Sequence, residues 1–557
     1  MTVTREQLIS EGVLEDMGAA PSTERRDAPM RAGFEAHPTA VRVGQAATRI
    51  RTAMATHAVS SRVLRPVMPY LLPISAMVLA VALRMIDLGR VGLNSDEAVY
   101  AAQSASLAGN PHFIYLFPVV RAHPLLLQVL MSPLYRSGVQ DVAGRYVTAL
   151  FGIGTVALLY VLGRVLYDRR VAGVAALLLA VMPYHVTVSR QIMLDGPMAF
   201  FSTGALICLA VASTRPNRAR WLVAAGACLG MAALSKESAF ILIGSAFVFL
   251  SLVNHLWRPL KFPLAGGVIA ITIALAYPVL TTIAGGAQSG NSYLLWQLTR
   301  HPNHSFSFYF VTVGAAMGFA LVAVALMGLF ARRFTGRVFT WRETLLLSWI
   351  AVPLLFFEVW PVKGFSYLMP LAPVVALLAA RALCPLPAML GLRWRRVAAT
   401  VAAVACVASV AIPAVAGIAR PSTSGLAGAG GLPGGREAGR WVNQSVPQGA
   451  RFMTIGPSMA NLIEYYSGRH SDGLSVSPNP LHRNPSYHPI VNADYLLKQG
   501  DYQYIVWDAY SARRSPIFSA RALTLAQRYH GQIVDMQRGS FAGKSNQPLV
   551  VIYEVTP

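Results

Sequence analysis

The sequence is short of charge. Only 13% of its 557 residues are Asp, Glu, Lys or Arg, against 54% hydrophobic, whereas a water-soluble domain carries about 25% charged residues. That deficit excludes an ordinary soluble protein and points to an integral membrane protein. Acids are scarcer than bases: 24 Asp and Glu face 47 Lys and Arg, a formal charge of +23. A basic excess can mark nucleic-acid binding. Here the arginines fall between apolar segments, the pattern of cytoplasmic loops, so no nucleic-acid partner is expected. The four cysteines, Cys208, Cys228, Cys384 and Cys406, sit in or beside hydrophobic segments and match neither a metal spacing nor a disulfide framework. They read as small core residues. The polar start of the chain shows no cleavable signal peptide, which leaves the first apolar segment as a signal anchor. No nucleotide-binding loop and no internal repeat is visible.

What is present is a series of apolar segments near the ~20 residues a bilayer requires. They lie at 68–86, 147–166, 171–187, 192–213, 221–235, 239–254, 263–283, 309–330, 344–360, 365–381 and 397–417, about eleven transmembrane helices. The loops between them sort by charge. One set holds Tyr167-Asp168-Arg169-Arg170, Arg215 to Arg220, Arg258 to Lys261, Arg332 to Arg342 and Arg393 to Arg396; the alternate loops are poor in net charge. This sorting places the first set and the N-terminus in the cytoplasm and the C-terminus outside, in a multi-pass protein of the plasma or inner membrane.

The composition divides the chain into four regions. Residues 1–66 read as a cytoplasmic tail, disordered for want of apolar periodicity. Its end carries Arg42, Arg49, Arg51, Arg62 and Arg65 without an acid, and could rest on anionic lipid or simply be solvated. Residues 67–420 form the transmembrane domain, with a large first outer loop over 87–146 whose apolar run Pro124 to Leu134 suits juxtamembrane helices. A Gly-rich linker spans 421–436. Residues 437–557 alternate strand and helix patterns (strands at 451–455, 502–507 and 549–555, helices at 459–466 and 518–529), a small extracytoplasmic α/β domain. Lacking cysteine, it is expected to stand on its own core.

Charges at the outer face stand out because charge beside a bilayer is costly and usually functional. Foremost is Asp96-Glu97 in Leu93-Asn94-Ser95-Asp96-Glu97-Ala98-Val99-Tyr100. Neighbours on a helix diverge by about 100°, so one acid can face a site while the other turns to an Arg, a metal or water. A helix N-cap at Asn94, Ser95 or Asp96 is the plainer alternative. Asp195, in Ser189-Arg190-Gln191-Ile192-Met193-Leu194-Asp195, comes out on the same side. Two acids on one face, Asp96 and Asp195, could hold a divalent cation or share acid/base work; an ion pair with Arg190 or a helix cap is the alternative for Asp195. Arg121, His123 and Arg145 could meet a phosphate, or be solvated and helix-end residues. Lys236, in Leu234-Ser235-Lys236-Glu237-Ser238, and Lys363, in Trp360-Pro361-Val362-Lys363-Gly364-Phe365-Ser366-Tyr367, are conspicuous cations of charge-poor loops, open to snorkelling or salt bridging. His301 and His304 lack a specific metal spacing.

The order of these pieces resembles the GT-C membrane glycosyltransferases, in particular the superfamily of protein O-mannosyltransferases and of the aminoarabinose transferase that modifies lipid A. The resemblance lies in Asp96-Glu97-Ala98-Val99-Tyr100 after the first span, His123-Pro124-Leu125-Leu126, Gly144-Arg145-Tyr146, Ser189-Arg190 to Asp195, Leu234 to Ser238, Lys363 to Pro373 with Tyr367, and Asn461 to Arg469. It implies a GT-C fold, a polyprenyl-phosphate-linked sugar as donor, no nucleotide cofactor, an acceptor glycosylated at the outer face, and inversion at the anomeric carbon. Asp96 would act as general base or orient the acceptor hydroxyl; Arg145, Arg190, Lys236, Lys363 and Tyr367 would lie on the lipid-phosphate side. A transporter or flippase of lipid-linked saccharides is the rival reading. It would favour internal repeats and charges near the midplane, and the sequence shows neither.

Overall fold

A computed structural model describes residues 68–119, 123–138, 140–283, 296–334, 340–384, 393–421 and 426–557. The N-terminal tail, Arg121 and residues 422–425 of the linker lie outside the described residues. Each apolar segment read from the sequence overlaps a helix or a helix pair, though 365–381 is α-helical only from Ala372 and 309–330 bends by 98° after Met317: α1 (Met68–Met85), α3 (Ala143–Leu166), α4 (Arg169–Val181) with α5 (Pro183–Ser189), α6 (Asp195–Ala212), α7 (Arg218–Ser235), α8 (Phe240–Leu252), α9 (Lys261–Ile283), α10 (Phe319–Phe334), α11 (Trp341–Val359), α12 (Ala372–Leu383) and α13 (Arg393–Ala419). Between α1 and α3 lies α2 (Ser95–Leu107), in the segment that the sequence reading takes as the first outer loop. By length and composition, four of the described helices qualify to cross a bilayer alone, or up to six spans if each bent pair counts as one. In α9 only 17% of the most apolar window is buried. Its exposed Leu264, Val268 and Ile271 form a face suited to lipid.

Small residues set the helix crossings. A methyl group on Gly226 of α7 would come within 2.0 Å of the Gly266 carbonyl oxygen of α9. Without side chains the two backbones touch, the close approach that stands in for hydrophobic drive within lipid.

The break between α4 and α5 shapes the end of the bundle that meets α2. The pair bends by 60° at Met182, which leaves the helical region just before Pro183. The freed carbonyls of Leu179 and Ala180 accept hydrogen bonds from the buried Arg84 guanidinium at 3.2 and 2.9 Å. Arg84 also donates to His185 Nδ1 at 2.8 Å. A broken helix is tolerated at membrane depth where protein groups re-satisfy its backbone, and Arg84 does so here. The bend aims Ser189 to Ile192 at the start of α2.

After the linker come α14 (Gly435–Ser445), α15 (Pro457–Ser467) and α16 (Pro516–Arg528) around a five-stranded sheet. Its strands are β1 (Phe452–Thr454), β2 (Ser471–Gly473), β3 (Tyr504–Asp508), β4 (Gln532–Phe541) and β5 (Lys544–Glu554), in the order β2-β1-β3-β5-β4. β1 pairs in parallel with β2 and β3; β5 runs antiparallel to β3 and β4. One sheet face has a core of its own, with Met453, Ile505, Leu525 and Ala526. The other face shares a core with the first outer loop: Leu462, Tyr465, Val506 and Ile552 join Leu93, Ala98, Phe113 and Phe117. The α/β region therefore does not stand alone as expected, because one of its apolar faces is covered by the loop that carries Asp96. Polar contacts fix the joint. Leu93 N–H donates to Tyr466 Oη at 3.1 Å, and Arg436 to the Gly89 carbonyl at 2.9 Å.

Candidate active site

The two acids at the start of α2 have different environments. Asn94 is the N-cap: its side-chain oxygen accepts from the backbone N–H of Asp96 and Glu97, each at 3.0 Å. Glu97 closes the capping box by accepting from Asn94 N–H at 3.0 Å. The cap is thus Asn94 with Glu97, and Asp96 is left for other work.

Glu97 is fully buried. Its carboxylate accepts from Arg145 Nε and Nη2, both at 2.7 Å, and from Ile192 N–H at 2.9 Å, besides the cap. Arg145 spends its other donors on the carbonyls of Leu88, Val91 and Gly92 at 2.7, 2.9 and 3.0 Å. All five guanidinium N–H groups are engaged inside the protein. This departs from the expectation for both residues: Glu97 is out of a substrate's reach, and Arg145 has no donor left for a phosphate. Together they clamp the end of α1, the start of α2 and the Ile192 turn. Arg190 likewise holds carbonyls of Leu83 and Ile86 at 2.9 and 2.8 Å. It lines a small separate cavity with Asp87, Arg90 and Gln191 and is not the partner of Asp195.

That partner is Lys236. Its ammonium donates to both Asp195 oxygens at 2.8 and 2.9 Å, with Asp195 wholly buried and Lys236 nearly so. Asp195 opens α6, where a carboxylate also meets the positive helix end. Lys236 Nζ stands 4.8 Å over the Tyr367 ring. A second pair lies alongside: His123 Nδ1 meets the Glu237 carboxylate at 2.9 Å, and the His123 ring stands edge-on to Tyr100. Lys363 sits deeper, bonded to the Glu358 carboxylate and carbonyl at 2.8 and 2.7 Å, with Asn303 gripping its backbone. Glu358 thus neutralises the cation that the sequence offered as a phosphate ligand.

Asp96 faces the first two pairs. Its side chain is open to water on one side and ringed by protein on the others. Withdrawal from bulk solvent pushes its carboxyl above the ordinary range, with help from the Asp195 and Glu97 carboxylates, while His123 and Lys236 pull it down. Among the described residues, no hydrogen bond reaches this carboxylate. It is the uncommitted acid of the cluster, with two paired cations, His123 and Lys236, within electrostatic reach. No three His, Cys, Asp or Glu groups among the described residues converge to hold a metal; Asp195 already has Lys236 as its cation.

The His123–Glu237 pair makes a testable pH signature. Burial opposes charge on His123, but Glu237 outweighs it and the pKa rises above 6.5. For Glu237 burial raises the pKa, but His123 outweighs it and the net shift is below 4.5. The histidine's stabilising share is complete below its unfolded pKa and fades as pH climbs through the raised value. The glutamate's share is complete above its unfolded pKa and fades as pH falls through the lowered one. We expect the His123 NMR titration midpoint to lie above 6.5 and to drop in Glu237→Gln. An unchanged midpoint would remove the pair.

The sequence could not have named Glu358, Gln191, Arg84 or Tyr466 as partners. Each acts through a contact that no local pattern marks, as when Asn94 Nδ2 donates to Gln191 Oε1 at 3.0 Å.

Comparison with known proteins bears on this arrangement. Residues 122–281 match the family model of dolichyl-phosphate-mannose-protein mannosyltransferases. A comparison with curated protein sequences gave no match. Among solved structures, ArnT from Cupriavidus metallidurans, bound to undecaprenyl phosphate, superposes with a TM-score of 0.61 at 18% identity, covering 87% of this chain and 97% of that one. The oligosaccharyltransferase of Archaeoglobus fulgidus, tethered to an acceptor peptide, superposes with a TM-score of 0.57 at 17% identity, covering 89% of this chain and 74% of that one. The archaeal oligosaccharyltransferase AglB from Archaeoglobus fulgidus, in complex with an inhibitory peptide and a dolichol phosphate, superposes with a TM-score of 0.56 at 17% identity, covering 87% of this chain and 75% of that one.

This is the GT-C fold. The resemblance read from the order of motifs holds at the level of the fold. Within the GT-C frame, the matched family segment begins just before His123 and runs through Asp195 and Lys236.

Proposed function

We propose that the protein is an integral membrane glycosyltransferase, moving a sugar from a polyprenyl-phosphate donor to an acceptor at the outer face with inversion. The observation that carries this reading is the uncommitted Asp96 carboxylate beside the Asp195–Lys236 and Glu237–His123 pairs. The lipids bound by ArnT and AglB support the donor class, and the GT-C fold does not favour the transporter alternative.

The geometry suits the following chemistry. The acceptor hydroxyl gives its proton to Asp96 as its oxygen bonds to the anomeric carbon. The bond from that carbon to the donor phosphate breaks, and the phosphate leaves with the electron pair. Lys236 gives two N–H groups to Asp195 and keeps a third for the leaving phosphate. Such donors act most strongly where charge develops in the transition state. Asp195 and Glu237 hold the two cations charged and in place. One uncommitted carboxylate suits a single displacement and hence inversion, because a covalent sugar intermediate would need a second acid as nucleophile. Lys236 Nζ stands 4.8 Å over the Tyr367 ring and Lys363 Nζ 5.2 Å over the Tyr309 ring, which puts both cations beside aromatic faces. A divalent cation is not needed by this scheme.

The test is mass spectrometry of glycolipids, cell-wall glycans and secreted proteins from a deletion strain. One glycan class should lose a sugar and regain it on complementation. An unchanged glycome would oppose the reading. The topology is part of the proposal. A reporter active only outside the cytoplasm should be active when fused after Pro557 and silent after Arg333, and the reverse pattern would undo every site assignment.

A further inference from the structure

A cavity lies between the first outer loop and the α/β region, and neither Asp195 nor Lys236 lines it. Its volume is about 120 Å³, and its lining includes Tyr115, Asn461, Glu464, His470, Asp472 and His488. That is well above the ~10–15 Å³ that one water needs. The lining is chemically mixed. Glu464 and Asp472 supply carboxylate acceptors, and His470 lies between them at 3.5 and 2.8 Å. Tyr502 Oη donates to Asp472 at 2.7 Å, and Glu464 accepts from Ser471 N–H at 3.2 Å. These bonds fix the carboxylates in orientation. Tyr115 adds an aromatic face. It is 90% exposed, so its ring face is open to a ligand entering the cavity.

The cavity is also tied to the catalytic helix. Asn461 Nδ2 donates to Ser95 Oγ and to Tyr487 Oη, each at 2.9 Å. Ser95 directly precedes Asp96. A ligand held here is one residue's breadth of chain from the proposed base, yet it touches neither the Lys236–Asp195 pair nor the His123–Glu237 pair.

Converging donors and acceptors beside an apolar ring face are what a sugar requires. Its hydroxyls both donate and accept, and its C–H face packs on an aromatic. We propose that this cavity is a carbohydrate subsite, holding a sugar unit of the acceptor, so that the acceptor is itself a glycan or a glycolipid headgroup. The assignment of the bound sugar to the acceptor rests on the transferase reading. The binding site itself rests only on the cavity.

Saturation-transfer NMR on the purified full chain tests it, with methyl α-D-mannopyranoside, methyl β-D-galactopyranoside and methyl α-D-arabinofuranoside as probes. At least one glycoside should receive saturation from the wild type and equally from Asp96→Asn. The signal should fall by about tenfold or more in Tyr115→Ala/His488→Ala, the loss expected for an aromatic platform and one polar contact. Both residues are exposed at the rim, and thermal melts of the variant should match the wild type. Tyr115→Phe should keep the signal, since the ring face is retained. No saturation of any probe, or equal saturation in the double variant, would overturn the subsite. So would loss of the signal in Asp96→Asn alone, which would put the sugar at Asp96. Sugar binding by a wild-type protein that moves sugar from no polyprenyl-phosphate donor would overturn the transferase reading and leave the carbohydrate site standing.

Discussion

Asp96→Asn is expected to cut sugar transfer by roughly 10²-fold or more, the usual worth of a positioned base, while the protein folds and binds lipid phosphate as before. The structure explains why the two effects should separate. Asn is nearly isosteric with Asp, and Asp96 holds no cap and accepts no hydrogen bond among the described residues, so its loss removes no structural bond. The helix start is secured by Asn94 and Glu97 instead. Asn cannot take the acceptor proton. The variant should therefore show wild-type thermal melting and wild-type titration with polyprenyl phosphate, with the deficit confined to turnover. Near-wild-type transfer would make Asp96 a bystander and move the search to the paired residues.

Glu97 should fail in the opposite way. Glu97→Ala leaves Arg145 buried without its carboxylate, and breaking one partner of a buried ion pair costs about 3–5 kcal/mol. Arg145→Leu strands Glu97 and the loop carbonyls of Leu88, Val91 and Gly92, and should cost a similar amount. Both variants are expected to melt earlier in detergent and to lose activity in proportion to the unfolded fraction. The double variant Glu97→Leu/Arg145→Leu should recover part of the loss, because no lone buried charge remains. A Glu97→Ala protein that melts like the wild type but cannot transfer sugar would return Glu97 to the active site.

These two residues show what the sequence could and could not convey. Charge scarcity made Asp96-Glu97 visible, and the 100° divergence of helix neighbours allowed one acid to face a site while the other turned to an Arg, though both stood as catalytic candidates. The sequence could not say which. That choice is made by Arg145, 48 positions away, whose five donors find partners with no sequence signature. Lys363 drew attention as a conspicuous cation and Arg145 as a phosphate ligand or helix-end residue, but Glu358 waits just over one turn before Lys363, and Glu97 reaches Arg145 from 48 positions away. Lys236 and Asp195 were both noticed, yet as separate candidates, since 41 residues conceal a pair.

The same contrast holds for the fold. Long apolar runs announced the helices, because lipid demands them. The interior strands β1, β3 and β5 showed as buried apolar runs. β2 is three residues, Ser-Asp-Gly, and carries no strand propensity. β4 is an edge strand of mostly half-exposed residues, so no clean alternation marks it. The shared core between the α/β region and the first outer loop was hidden because each half, taken separately, reads as a plausible amphipathic surface.

The most direct measurement follows a labelled sugar on its lipid. Purified protein is placed in proteoliposomes with polyprenyl-phosphate donors carrying radiolabelled hexoses or pentoses, together with outer-membrane and cell-wall extract as acceptor. The account predicts that wild-type protein moves label from at least one donor to the acceptor fraction with stoichiometric release of polyprenyl phosphate, and that Asp96→Asn, equally folded, leaves the label on the lipid. Label that stays on every donor with wild-type protein, or leaves it at the same rate with Asp96→Asn, would contradict it.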